Sequence, residues 1–243
     1  MASKKRTARL DQLLSSLGYG SRASVVSFIA QGRVTLLSNA QAKLKADMRI
    51  PAHDILFDGE ALDHPDGIFI VMHKPVGVVC THDEREGKTV YDLLPERWRQ
   101  RSPRIESVGR LDKETSGLLL LTDQHALIHQ LTSPKHKVMK VYEADVDSPL
   151  TREMVDLFAS GTLVLHGESK PCLPAALEII APNRARLSIS EGRYHQVRRM
   201  LASVGSPVLT LHRSQFGDLT LEGLPVGAFK SIPIGSETSR DSK

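Results

Sequence analysis

A chain of 243 residues with 40% hydrophobic and 25% charged side chains has the composition of an ordinary soluble globular protein. It is long enough for one large core or two domains, and it lacks any apolar run near the ~20 residues of a membrane span. Two cysteines, Cys80 and Cys172, exclude a secreted disulfide framework and suit the cytoplasm. The formal charge of +4 is uneven: residues 1–60 carry 9 Lys and Arg against 5 Asp and Glu, and the remainder 23 against 23. A basic end on a neutral body fits either a polyanion-binding module or a solvated charged face.

In chain order, residues 1–8 read as a basic tail. Leu10, Leu13, Leu14 and Leu17 repeat at helical spacing, and Gly18 and Gly20 end that helix. Ser21 is placed to cap a second helix with Val25, Phe28 and Ile29 on its inner face, closed by Gly32. Residues 33–37 and 54–59 read as strands, the latter ending in an Asp-Gly turn. Residues 62–67 are polar with Pro and Gly and mark a boundary. Beyond it, 68–72, 77–80 and 138–146 read as strands, and 118–121 as a short buried run. A helix is predicted over 152–159, a strand pair over 176–180 and 184–189, and a helix over 195–204. Strands and helices mix without a fixed period, which is an α+β pattern. Residues 236–243 form a polar tail.

Three segments carry possible chemistry. In 109–117, Asp112 sits in a Gly-bounded loop before a buried run, beside Arg110. Such a residue serves as nucleophile, as base or simply as turn former. In 190–200, Arg193, Arg198 and Arg199 offer forked donors for phosphate or carboxylate, or form a basic helix face. There Tyr194 and His195 read as a catalytic pair or, more simply, as a packed or exposed one. In 140–143, Tyr142 is an aromatic on a half-buried strand. There is no metal-ligand spacing, no Walker loop and no Gly-x-Gly-x-x-Gly, so neither a metal nor a nucleotide cofactor is expected.

Residues 109–122, Gly-Arg-Leu-Asp-Lys-Glu-Thr-Ser-Gly-Leu-Leu-Leu-Leu-Thr, resemble the signature of the RNA pseudouridine synthases that act on ribosomal RNA. Residues 191–200 are similar to that family's later basic motif, and 69–77, with Lys74 and Gly77, to its first; His73 stands where the family usually has Asn. Residues 9–33 resemble an S4 RNA-binding domain. Together the resemblance spans about residues 8–235. Softer likenesses at 131–136, 140–143, 158–166 and 208–213 point to the small-subunit type.

The resemblance implies a small S4-like RNA-binding domain over 9–61 and a linker over 62–67. A catalytic domain with a mixed, mostly antiparallel sheet would follow over 68–235. It implies isomerisation of a uridine within 16S ribosomal RNA, without a cofactor, after the base is flipped out of its stack. Asp112 would act at the glycosidic centre, Arg198 would place it, and Tyr142 would stack on the uracil. Arg9, Arg22, Arg33, Lys74, Arg110 and Arg193 would meet RNA, together with the cluster Arg97, Arg99, Arg101 and Arg104 unless that is a solvated loop. The expected partner is ribosomal RNA, with no membrane, and the expected state a monomer. A paralogue acting on 23S rRNA or tRNA, or a non-catalytic assembly factor, is the alternative.

Overall fold

The computed structural model describes residues 7–234. The N-terminal part contains β1 (Thr7–Arg9), α1 (Leu10–Ser16), α2 (Arg22–Ala30), β2 (Val34–Leu36), β3 (Arg49–Pro51), β4 (Ile55–Phe57) and β5 (Glu60–Ala61). Leu10, Leu13, Leu14 and Leu17 are all buried and share an apolar cluster with Val25, Ile50 and Ile55. The Ser21 hydroxyl caps α2 by accepting from the Ser24 N–H at 3.1 Å. β4 and β5 form a hairpin whose Asp58-Gly59 turn has φ of 52° and 84°. Positive φ at both turn positions matches the twist of the flanking strands, and Asp-Gly tolerates it.

β1 pairs antiparallel with β3, Ala8 opposite Ile50. The reading of residues 1–8 as a tail is therefore corrected at Thr7 and Ala8. Their pairing depends on a segment far along the chain, which no local pattern marks. The rest of that tail, the polar tail 236–243 and residue 235 lie outside the described residues.

The remaining strands are β6 (Phe69–Lys74), β7 (Glu106–Ser107), β8 (Thr115–Thr122), β9 (Lys140–Val146), β10 (Ala176–Ala181), β11 (Arg184–Ile189), β12 (Val208–Phe216), β13 (Leu219–Thr220) and β14 (Phe229–Ser231). They form one nine-stranded sheet in the order β10-β11-β9-β12-β8-β6-β14, with β13 beside β12 and β7 beside β8. Among the described strands β8 and β12 run parallel and the other pairs of this sheet antiparallel. The sheet is thus mixed and mostly antiparallel. The helices here are α3 (Glu96–Arg99), α4 (His125–Thr132), α5 (Arg152–Ser160) and α6 (Gln196–Ser203).

The period of two in a strand explains the run of leucines in β8. Leu119 and Leu121 join the larger cluster, with Phe158 of α5 and Met200 of α6. Leu118 and Leu120 join a second cluster, with Leu127 and Leu131 of α4. Both faces of β8 are covered, so an unbroken apolar run is required where a half-exposed strand would alternate. At the start of the strand Gly117 has φ 115°, and a Cβ there would run into the Arg213 backbone of β12. Glycine lets β12 approach closely just after the Asp112 loop.

One strand reading changes. Residues 77–80 are not a strand; among the described residues they contribute a single bridge, Val79 to Thr89. Gly77 adopts φ 85° and gives its N–H to the Lys113 carbonyl at 2.8 Å, which turns the chain toward the Asp112 loop. β12 and α4 are additional elements without a clean local period.

Candidate active site

The Asp112 loop is held from beneath by Lys74, the last residue of β6. Its side chain is fully buried, and Nζ donates to the carbonyls of Pro75 at 3.0 Å, Asp112 at 3.0 Å and Thr115 at 2.8 Å, with the Lys113 carbonyl a longer contact at 3.5 Å. Burial pushes the ammonium pKa down. The four oxygens replace the water it has lost, and its charge fixes the loop backbone. The assignment of Lys74 to RNA contact is corrected: no solvent-facing surface remains for a phosphate to reach.

The Asp112 carboxylate faces the residues around the start of α6. His195 Nε2 lies 3.3 Å from Oδ1, and Arg198 Nε 4.0 Å from Oδ2. Arg198 also donates through Nη2 to the Glu114 carbonyl at 3.0 Å, which ties α6 to the loop. His195 has left-handed backbone, φ 48°, and stacks on Tyr194 with ring centroids 3.8 Å apart. Tyr194 itself is three-quarters exposed.

The three arginines of this segment take different tasks. Arg193 clamps the chain by pairing with Glu168 and with Glu191 at 3.2 Å, and by donating to the carbonyls of Lys170 and Pro171. Its donors are spent inside the protein, so the assignment of Arg193 to RNA contact is corrected. Arg199 pairs with Glu168 at 2.7 Å. Arg198 is the one that turns to Asp112.

Tyr142, on β9, is buried and lines the same cleft as Asp112, Arg110, His195 and Arg198. The cleft has a volume of about 380 Å³. Behind Tyr142 stands Arg213 of β12, 2% exposed, whose Nε donates to the Leu118 carbonyl at 2.7 Å and whose Nη1 reaches the Tyr142 hydroxyl at 3.5 Å. Lys140 completes this end of the cleft, with its pKa pushed down to about 8 by burial and, second, by the Arg213 charge. Sequence reasoning passed over Lys140 and Arg213 as site residues. The available signal was a basic residue two positions before Tyr142, but no local pattern places Arg213 beside them.

Arg110 is exposed at the cleft. Arg9, Arg22 and Arg33 lie in the N-terminal part; Arg9 pairs with Asp11 at 2.8 Å and Arg33 with Asp58 at 2.6 Å, while Arg22 is exposed. The cluster Arg97–Arg104 is divided. Arg97 pairs with Asp63 at 2.6 Å and lies over the Tyr19 ring, which joins the N-terminal part to the body. Arg101 is buried against Asp123 at 2.8 Å and is removed from the RNA candidates. Arg99 pairs with Asp92 at 3.5 Å, and Arg104 is exposed. Among the described residues no three His, Cys, Asp or Glu side chains are arranged to hold a metal, and no helix is long and apolar enough to cross a membrane.

Residues 68–203 match the family model described as RNA pseudouridylate synthase. The chain is 39% identical over 232 residues to ribosomal small subunit pseudouridine synthase A of Escherichia coli strain K12, covering 92% of this chain and 96% of that protein. It is 36% identical to the protein of the same name from Vibrio cholerae, covering 92% and 95%. A crystal structure of a pseudouridylate synthase superposes with a TM-score of 0.64 at 33% identity, covering 93% of this chain and 96% of that one.

Proposed function

The chain belongs to the RNA pseudouridylate synthase family, and on that premise we propose that it converts a uridine of small-subunit ribosomal RNA to pseudouridine, with Asp112 at the glycosidic centre. The supporting observation is the meeting of a loop carboxylate, a cation and a buried aromatic in one cleft: Asp112, Arg198 and Tyr142.

The reaction detaches the uracil from its ribose, turns it and rejoins it through carbon. Nothing is added or lost, so the protein has only to open a bond, hold the base and close another. Asp112 supplies the carboxylate that attacks or stabilises the opened centre. Arg198 orients that carboxylate while tying α6 to the loop through Glu114. Tyr142 offers a π-face to the uracil and a hydroxyl to the ring proton that must leave. A base in folded RNA reaches this depth only when flipped out, at a cost of a few kcal/mol. Arg110, exposed at the cleft, occupies the vacated position.

Residues 9–61 act as an S4-like docking unit, joined through 62–67 to the catalytic domain over 68–235. Arg9, Arg22 and Arg33 contact phosphates without reading bases. The protein works as a cytoplasmic monomer on RNA of the assembling small subunit.

The test is Asp112→Asn assayed for both binding and turnover on small-subunit RNA. Retained binding with no conversion supports the assignment; conversion at the normal rate overturns it. Mapping pseudouridines in ribosomal RNA and tRNA from cells lacking the gene separates a 16S target from a 23S or tRNA target. A wild-type protein that binds RNA and converts nothing would instead be an assembly factor.

A further inference from the structure

In the same cleft, two cations converge on one aromatic ring. The Lys140 Nζ lies 5.3 Å and the Arg213 guanidinium carbon 5.2 Å from the Phe216 centroid. Among the described residues neither has a carboxylate within ion-pairing distance. Lys140 donates to the Val138 carbonyl at 3.0 Å. Arg213 is 2% exposed, and its Nη2 is buried without any hydrogen-bond partner. Buried charges are ordinarily paired, because stripping a cation of water costs several kcal/mol. Two unpaired cations side by side raise that cost, and an anion bound between them would lower it.

We propose that Lys140 and Arg213 form, around Phe216, an anion subsite that takes a backbone phosphate of the RNA beside the nucleotide held at Asp112 and Tyr142. This rests on the function proposed above and adds a ligand group to the same cleft. Both residues line that cleft together with Asp112 and Tyr142, so a strand whose base enters there carries its own phosphate past them. Lys140 is half-buried and makes the contact; Arg213 lies deeper and supplies field from behind. A phosphate suits the pair better than a uracil carbonyl, because its full negative charge attracts both cations where a neutral carbonyl offers only a dipole.

The charged groups that face Lys140 are Arg213 on β12 and Glu191 in the loop after β11. Glu191 is already engaged by Arg193 at 3.2 Å. Lys140, with its pKa near 8, therefore loses its charge in mildly alkaline solution unless an anion is bound. RNA binding then carries a proton uptake, and affinity falls as pH rises through that range.

The experiment measures binding of a labelled single-stranded RNA containing the target uridine to wild type, Lys140→Met and Lys140→Arg. Titrations at pH 7.0 and 8.8 are each run over 50–200 mM salt. Wild-type affinity is expected to fall several-fold between the two pH values. Lys140→Met loses about tenfold at pH 7.0, no longer responds to pH, and has a salt slope smaller by about 0.7, one phosphate on a single strand. Lys140→Arg keeps affinity at pH 7.0 and exceeds wild type at pH 8.8, since arginine stays charged. Thermal unfolding of each variant verifies the fold. Wild-type affinity for Lys140→Met at both pH values, or equal behaviour of the Met and Arg variants, overturns the subsite. The readout is binding, so a chain that binds in this way but never converts uridine would sink the proposed reaction and leave the subsite standing.

Discussion

His195 Nε2 stands closer to the Asp112 carboxylate, at 3.3 Å, than the Arg198 Nε does, at 4.0 Å. The two contacts differ in kind. Arginine stays charged at any working pH and spans the loop by its second bond to Glu114. The histidine is charged only when protonated, and it sits on left-handed backbone beside the exposed Tyr194. The closer group is thus the less permanent partner.

Removal of each group should separate these roles. Arg198→Ala is expected to lower kcat by about 10²-fold, the worth of a charge-assisted contact to the carboxylate proposed to react. His195→Ala should lower it by less, about threefold to tenfold at neutral pH. Single-turnover rates on target RNA check the order, and a larger loss for His195→Ala would reverse it.

Lys74 should behave as a structural cation. Lys74→Met leaves the carbonyls of Pro75, Asp112, Lys113 and Thr115 without their shared donor and should cost about 3 kcal/mol of stability. Urea unfolding measures that loss. The salt slope of RNA binding by the folded fraction should match wild type, whereas a phosphate-binding lysine would lower it.

Asp123 joins two distant parts of the chain. It accepts from the Ile68 N–H at 2.9 Å and pairs with buried Arg101 at 2.8 Å. Asp123→Ala leaves a buried guanidinium uncompensated and should cost about 3–5 kcal/mol, visible in chemical denaturation. Replacing both partners with apolar residues should recover most of it.

The N-terminal arginines should act through charge alone. Arg9→Ala, Arg22→Ala and Arg33→Ala together should weaken RNA binding and flatten its salt dependence, by about 0.7 in slope for each single-strand phosphate that is no longer neutralised. Arg9 and Arg33 are already paired with Asp11 and Asp58, so Arg22 alone should account for the largest share. An unchanged salt slope in the triple variant would show that the unit docks elsewhere.

Burial of Lys140 has a signature in stability as well as in binding. Its folded pKa, about 8, is below the ordinary 10.5, so the unfolded chain binds the extra proton between those values. Stability conferred at this site therefore rises with pH across that window, and the burial penalty is fully present below about pH 8. Lys140→Met should be more stable than wild type at pH 7, with the difference shrinking by pH 10. Paired urea titrations at the two pH values check this.

Much of this protein was determined by sequence alone because its signals are local. The leucines of α1, the Ser21 cap, the Asp58-Gly59 hairpin and the run in β8 each follow from spacing or turn chemistry within a few residues. The motif around Asp112 was legible for the same reason. Other features depended on tertiary structure. Lys74 and Arg193 are charged residues in motif segments, and sequence cannot tell whether such donors face solvent or the chain's own carbonyls and carboxylates. Folding turned both inward. It also brought β12, which has no clean period of its own, between β8 and β9. That placement sets Arg213 behind Tyr142 and beside Lys140. Charge can be counted along a chain, but whether a charge is paired depends on which strands become neighbours.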